Sequence, residues 1–241
     1  MKRSMKAFVV LLAPGLLVPS LAQGQVGNDP AHSPFRDLRY GQFVTLTAGQ
    51  MFGSGGKLGI GPHHGPVVML RHDFLADHPL SLALAFGFAR LDRNFVDLTA
   101  TTPTDKRLKG PVRHNMWFGE GNFQLNLTGG KTWHGLAPFV GLGFGLAVTD
   151  KIKQDSSKYS FGTRFYLIPA AGVRYFVTRR MFLKAEARVN FWNLRYPDTY
   201  RTDPDGAFGP LGRLITGEPK EWTPTAVIHA GVGFAFHRPF F

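Results

Sequence analysis

Large apolar side chains alternate with small ones along much of this chain. In residues 78–91, HPLSLALAFGFARL, leucine and phenylalanine occupy every second position from Leu80 to Phe88, with serine, alanine and glycine between them. A period of two residues is typical of a β-strand, because successive side chains point to opposite faces. Residues 136–149, LAPFVGLGFGLAVT, repeat the pattern. The alternation therefore predicts strands with one bulky apolar face and one face of small side chains.

Eight segments of this kind predict an all-β fold. Residues 65–76 alternate poorly, but the gap between their neighbours would otherwise be too long for a connection. The predicted strands are 38–52, 65–76, 78–91, 114–128, 136–149, 161–177, 181–193 and 225–236. The connections after strands two, four and six are short, whereas those after strands one, three, five and seven are long and polar: 53–64, 92–111, 150–159 and 194–223. This arrangement predicts an eight-stranded antiparallel up-and-down transmembrane β-barrel over residues 38–241.

Two orientations of such a barrel are possible. A soluble carrier of the lipocalin type would turn the large residues inward and a polar face to water. In the third and fifth predicted strands the opposite face is instead alanine, glycine and serine, which favours Leu and Phe facing lipid and small residues facing the lumen. Ten residues of tilted strand cover about 25 Å, the height of a membrane barrel's apolar band. Aromatic residues near strand ends are candidates for the two interfacial girdles: Tyr40, Trp117, Trp133, Tyr175, Trp192 and Trp222.

The first residues predict export. Residues 1–24 combine a basic start, an apolar run interrupted by Pro14 and Pro19, and small residues near Ala22, which indicates a secretory signal peptide. As a membrane anchor the apolar run is short, since a spanning helix needs about 20 residues. Residues 25–37, rich in turn formers, are predicted to be a periplasmic lead-in.

Composition limits the partners. The chain has no cysteine and a formal net charge of +12, so disulfides cannot stabilise it and anionic partners are favoured. Export makes nucleic acid the least expected of these. Lipopolysaccharide phosphates, contacted by Lys and Arg at the rim, are the expected partner. The mixed-sign long loops are expected to be solvated, with adhesive or ligand-binding tips as the alternative.

Charged residues on the small-residue faces predict a polar network in the lumen. They would be desolvated unless paired, so a salt-bridged interior is expected. An eight-stranded barrel is only wide enough for side chains to fill it, which favours a plugged lumen over a gated or leaky ion path. The predicted members are Glu120, Arg164, Arg174, Lys184, Glu186 and Arg188.

From the signal peptide to the last strand, the chain resembles the small bacterial outer-membrane β-barrels of the OmpA/OmpX type. Its ending, HAGVGFAF, is similar to the C-terminal sorting signal of that class, with Ile228, Val232, Phe234 and Phe236 in alternate register. Five residues follow Phe236, which departs from the pattern and allows the signal to end at Phe240 or Phe241 instead. The resemblance implies insertion by the outer-membrane assembly machinery of a Gram-negative bacterium, and it implies no activity.

Candidate chemistry is sparse. The segment GSGGKLGIG, residues 53–61, lacks the spacing of a phosphate-binding loop. Neither a cysteine nor a well-spaced carboxylate completes a metal site around His63 and His64. The His-x-Ser pair of lipid A deacylase barrels does not occur, although Glu120 or Glu221 could approach His114 or His229 near the rim. We therefore expect no catalytic residue, metal or cofactor.

Three functions follow, in decreasing order of expectation. The first is a structural or interaction barrel whose loops contact lipopolysaccharide or external ligands. The second is a narrow, porin-like pore for ions or small solutes. The third is a rim enzyme acting on membrane lipid.

Overall fold

A computed structural model describes residues 33–97, 108–153, 155, 159, 161–200, 215 and 218–236. The predicted signal peptide, most of the lead-in and the last five residues lie outside this part. The strands are β1 (Phe35–Asp37), β2 (Gln42–Gly53), β3 (Gly65–Phe74), β4 (Leu80–Val96), β5 (Leu108–Asn126), β6 (Lys131–Trp133), β7 (Leu136–Thr149), β8 (Thr163–Phe176), β9 (Met181–Arg195) and β10 (Lys220–Phe236). A 3-10 helix covers Asp198–Tyr200. Among the described residues, no helix has the length and apolar character needed to cross a membrane.

Eight of these strands close into a barrel. Strands β2 to β5 and β7 to β10 pair in antiparallel fashion with their neighbours along the chain, and β10 returns to pair with β2 from Thr225 opposite Gly53 to Phe236 opposite Gln42. The predicted eight-stranded antiparallel barrel is therefore confirmed. Because the barrel is closed, each of its strands pairs with a neighbour on both sides, although the β4–β5 hairpin extends beyond the pairing of β5 with β7.

The connections define two ends of the barrel. The tight-turn end holds the connections 75–79, 127–135 and 177–180, and the loop end holds 54–64, 97–107, 150–162 and 196–219. The predicted loops 92–111 and 194–223 were too long. The pairing of β4 with β5 continues as far as Val96 and Leu108, and that of β9 with β10 as far as Arg195 and Lys220. These hairpins extend beyond the apolar alternation that defined the strands, so the pattern underestimated them.

The barrel has an apolar exterior. Leu84 exposes 61% of its surface whereas Ala85 exposes 8%, and the same contrast follows each predicted strand. Strand β3 alternates as regularly as the others, with Val67, Met69 and Arg71 inward. The large apolar residues of the predicted alternation thus face outward, contrary to a lipocalin-type carrier and as in a transmembrane barrel.

Small inward residues make room for aromatic side chains from neighbouring strands. A methyl group on Gly87 would overlap the Phe118 ring, and one on Gly145 would overlap the Tyr166 ring. At the tight-turn end, Phe43 and Phe182 are fully buried with ring centroids 5.0 Å apart. The lumen is therefore filled by large side chains as well as small ones.

Two local predictions need correction. Trp192 is fully buried inside the barrel, where its ring lies 4.1 Å from that of Tyr166, so it is not a girdle residue. Its position on β9 belongs to the alternate set of side chains that point into the lumen. The predicted lead-in and tight turn also contain strands: β1 pairs with β6 in a short ribbon at the tight-turn end. Trp117, Trp133, Tyr175 and Trp222 are exposed on the outside.

Candidate functional site

A buried network of polar and charged side chains lies inside the barrel. Its first centre is Arg174 on β8, near the tight-turn end. The Arg174 guanidinium donates to Asn126 Oδ1 at 2.8 Å and to Gln124 Oε1 at 2.5 Å, and it lies 3.3 Å from Asp73 Oδ1. It also lies over the Phe139 ring, 4.7 Å from the centroid. One side chain thus joins β8 to β3, β5 and β7.

The second centre is Glu186 on β9. Lys184 Nζ lies 2.9 Å and Arg71 Nη1 3.6 Å from Glu186 Oε2, while His229 Nε2 on β10 lies 3.4 Å from Oε1. Arg71 Nε also donates to Asp73 Oδ1 at 3.1 Å. Because Arg71 contacts both carboxylates, it connects this centre to the first one.

The third centre is Glu120 on β5. It accepts a hydrogen bond from Arg188 Nη1 at 2.6 Å and one from the Tyr166 hydroxyl at 2.8 Å. Arg188 also approaches the sulfur of Met69 at 3.6 Å. The side chains of Glu120 and Arg188 are fully shielded from solvent.

The structure brings five of the six predicted lumen residues into these centres and places the sixth elsewhere. Arg164 is partly buried at the loop end, over the Phe161 ring at 5.8 Å. Sequence reasoning missed Arg71 and Asp73, because the strand that carries them was assigned only by the gap it fills. Their spacing of two residues was a usable signal, since it places both side chains on one face.

The network holds the barrel wall together across its interior. Four cations (Arg71, Arg174, Lys184 and Arg188) meet three carboxylates (Asp73, Glu120 and Glu186) at positions with no exposed side-chain surface. Desolvated charges of this kind require their partners, since removing one partner of a buried pair costs about 3–5 kcal/mol. Such an arrangement fixes strand positions and fills space.

The loop end has its own polar contacts. Glu221 at the start of β10 accepts hydrogen bonds from the Tyr196 hydroxyl and from the Lys57 backbone amide, the latter at 2.8 Å. Burial and the hydrogen bond to Glu221 raise the pKa of Tyr196 well above its ordinary value. Burial, with a contribution from the neighbouring His64, lowers the pKa of His63. Glu221 therefore ties the connection 54–64 to the barrel rim.

The histidines considered for rim chemistry lie inside the barrel. His114 faces inward near the loop end, and His229 lies halfway along β10, since that strand begins at Lys220 and not near Thr225. Neither forms a hydrogen bond or ion pair with Glu120 or Glu221, all four being described residues, and His229 approaches Glu186 instead. Within the described ranges, no group of three or more metal-ligating side chains occurs.

The predicted sorting residues form an outward row at the end of β10. Ile228, Val232 and Phe234 are exposed on the apolar exterior, and Phe236 is half-buried with its ring 5.8 Å from that of His72. Their role in assembly stays a prediction.

Comparison with known proteins gives a likeness of fold. No protein-family model matches the chain, and no curated protein matches it in sequence. The crystal structure of Neisserial surface protein A is 15% identical with a TM-score of 0.46, over 85% of this chain and 98% of that one. OprG from Pseudomonas aeruginosa is 11% identical with a TM-score of 0.46, over 86% and 100%. Ail, the attachment invasion locus protein of Yersinia pestis, is 10% identical with a TM-score of 0.34, over 80% and 97%. Likeness at these values concerns the barrel and says nothing of activity.

Proposed function

We propose that this protein is an outer-membrane β-barrel with a structural or interaction role. Its lumen is closed by side chains, its loops contact lipopolysaccharide or external ligands, and it carries out no catalysis. The observation that supports this best is the interior itself, in which buried ion pairs join β3, β5, β8 and β9 above an aromatic cluster at the tight-turn end.

An outer-membrane location is supported by the exterior. Exposed leucine and phenylalanine cover the barrel wall, and exposed Trp117 and Trp133 stand towards opposite ends. Such a surface is stable in lipid and would aggregate in water. Fractionation of cells should recover the folded protein with the outer membrane, and recovery in the soluble periplasmic fraction would contradict the proposal.

Single-channel recording tests the closed lumen. Purified protein in planar bilayers should show no defined conductance steps, because Phe43, Phe182 and Arg174 occupy the cross-section near one end. An open porin recorded in the same bilayers provides the positive control. Reproducible conductance of the unmodified protein would reject the closed lumen and favour the narrow pore.

Contact with lipopolysaccharide is supported by the outer rim. Arg90 on β4 and Arg113 on β5 face outward. Towards the loop end, Arg90 is the next outward residue after Phe88, and Arg113 is the second outward residue after Trp117. Cations just beyond an aromatic girdle are well placed for headgroup phosphates. Replacing both arginines by glutamine should weaken binding of lipopolysaccharide, and the loss should disappear with dephosphorylated lipopolysaccharide. Equal binding by variant and parent would remove this partner from the proposal.

A rim enzyme is disfavoured because His114 and His229 point into the lumen. Incubation of lipid A with the protein should leave its mass unchanged. A mass change that disappears on replacing either histidine by alanine would overturn the proposal of a non-catalytic barrel.

A further inference from the structure

A basic cavity opens at the tight-turn end of the barrel. Its volume is about 670 Å³, and it lies between the segment 35–40 and the turn after β8. Among the described residues, three arginines line it, Arg36, Arg39 and Arg179, against one carboxylate, that of Asp37. The cavity is therefore built for a ligand with negative charge.

The positive charge of this cavity is not neutralised by the described part of the protein. Asp37 lies 3.8 Å from Lys131 Nζ. The three arginines are exposed, and none of them forms an ion pair with a described carboxylate. Exposed arginines that line one space can bind a phosphate by charge-assisted hydrogen bonds.

An apolar groove lies on the other side of the same ribbon. Its volume is about 450 Å³, and it is lined by Leu127, Trp133, Leu136, Pro138 and Val173 on the outward face of the barrel. Strand alternation separates the two spaces: Arg36 and Thr132 form one cross-strand pair, and Phe35 and Trp133 form the next. Phe35 borders both the cavity and the groove.

We propose that the groove and the cavity together bind one phospholipid with an anionic headgroup. One acyl chain lies along the groove, and the headgroup phosphate reaches the three arginines past Phe35. The inference rests on the proposed membrane location, because tight turns of outer-membrane barrels face the periplasm, where the adjoining leaflet consists of phospholipid. Apolar and basic surfaces side by side match the two ends of such a lipid.

The test uses the full-length protein reconstituted in phosphatidylcholine vesicles with and without phosphatidylglycerol. Flotation first establishes membrane insertion. Retained lipid is then counted by native mass spectrometry after extraction into detergent. The variant Arg36→Gln, Arg39→Gln, Arg179→Gln is compared with Lys151→Gln, Lys153→Gln, Lys220→Gln, which removes three positive charges at the loop end.

We expect the parent and the loop-end variant to retain phosphatidylglycerol in preference to phosphatidylcholine. Loss of each cavity arginine should weaken retention about five-fold, and the triple variant should weaken it more than any single replacement. If the triple variant does not fold, Arg39→Gln alone should show the single-residue effect. Val173→Phe, which fills the groove, should lose the lipid while inorganic phosphate still binds.

Several results would overturn the assignment. If the cavity and loop-end variants retain equal amounts of phosphatidylglycerol, the net charge of the protein and not the cavity determines lipid retention. If the parent retains both lipids equally, it has no preference for an anionic headgroup. Displacement of the lipid by inorganic phosphate, with Val173→Phe without effect, would indicate a site for free anions. Failure to float would reject the membrane proposal and this inference together, whereas flotation without lipid preference would reject the inference alone.

Discussion

Arg188 and Glu120 form an ion pair inside the barrel, with Arg188 Nη1 2.6 Å from Glu120 Oε2 and both side chains shielded from solvent. The two residues are 68 positions apart along the chain, on strands that are not neighbours in the barrel. The pair therefore joins opposite parts of the wall through the lumen. Its stability depends on both charges being present.

Glu120→Gln should destabilise the folded barrel by about 3–5 kcal/mol, because Arg188 would remain buried without its counter-charge. The double variant with Arg188→Met should recover part of that loss. Urea unfolding in lipid vesicles measures both. As a control, Asp92→Asn removes the exposed partner of Arg113, 3.5 Å away, and should cost less than about 1 kcal/mol. Equal costs for Glu120→Gln and Asp92→Asn would contradict a desolvated network.

Leu84→Arg should destabilise the barrel by about 2–4 kcal/mol, because the side chain would place a charge in the apolar band. Leu84 is 61% exposed on the outside. Asn115→Arg, also outward but at the level of Arg90 near the loop end, should cost no more than about 1 kcal/mol. The same unfolding assay in vesicles compares the two. A silent Leu84→Arg in a lipid-embedded sample would mean that the orientation is wrong.

Inward substitutions that add volume should destabilise by overpacking. Gly87→Ala would collide with the Phe118 ring, and Ala85→Leu would add bulk beside it on the same inward face of β4; a cost of about 1–3 kcal/mol is expected for each. Gly119 is the matched control, since it faces outward and a methyl group there meets nothing within 4 Å. Thermal unfolding followed by the gel shift of the folded barrel should rank Gly119→Ala as the mildest. An equal effect of Gly87→Ala and Gly119→Ala would contradict the filled lumen.

Glu221→Ala should release the connection 54–64 from the rim. The variant loses the acceptor of the Tyr196 hydroxyl and of the Lys57 amide, so trypsin should cleave after Lys57 faster than in the parent. Glu218→Ala, which removes an exposed carboxylate nearby, should leave the rate unchanged. Unaltered cleavage in Glu221→Ala would show that this tie does not hold the connection.

Period-two alternation predicts seven of the eight strands and the orientation of the wall, because lipid and a narrow lumen select opposite side-chain sizes. The strand at 65–76 is predicted from the length of the gap between its neighbours. The internal partners were harder to predict. Arg174 meets Asp73 only because of the registers between several strands, and no local sequence pattern contains those registers. By contrast, the inward direction of Arg71 and Trp192 follows from counting alternate positions along their own strands. The ribbon of β1 and β6 is three residues long on each strand, too short for any periodicity to appear.

The central claim is that alternate residues of each strand face lipid and lumen, and spin labelling measures this most directly. The chain has no native cysteine, so single cysteines at consecutive positions from Leu80 to Phe86 can each carry a nitroxide in the vesicle-embedded protein. Labels at Leu80, Leu82, Leu84 and Phe86 should collide freely with oxygen dissolved in the lipid, whereas Ser81, Ala83 and Ala85 should give immobilised or unlabelled sites. Uniform accessibility along the strand, or access of a water-soluble nickel complex to Leu84, would contradict the account.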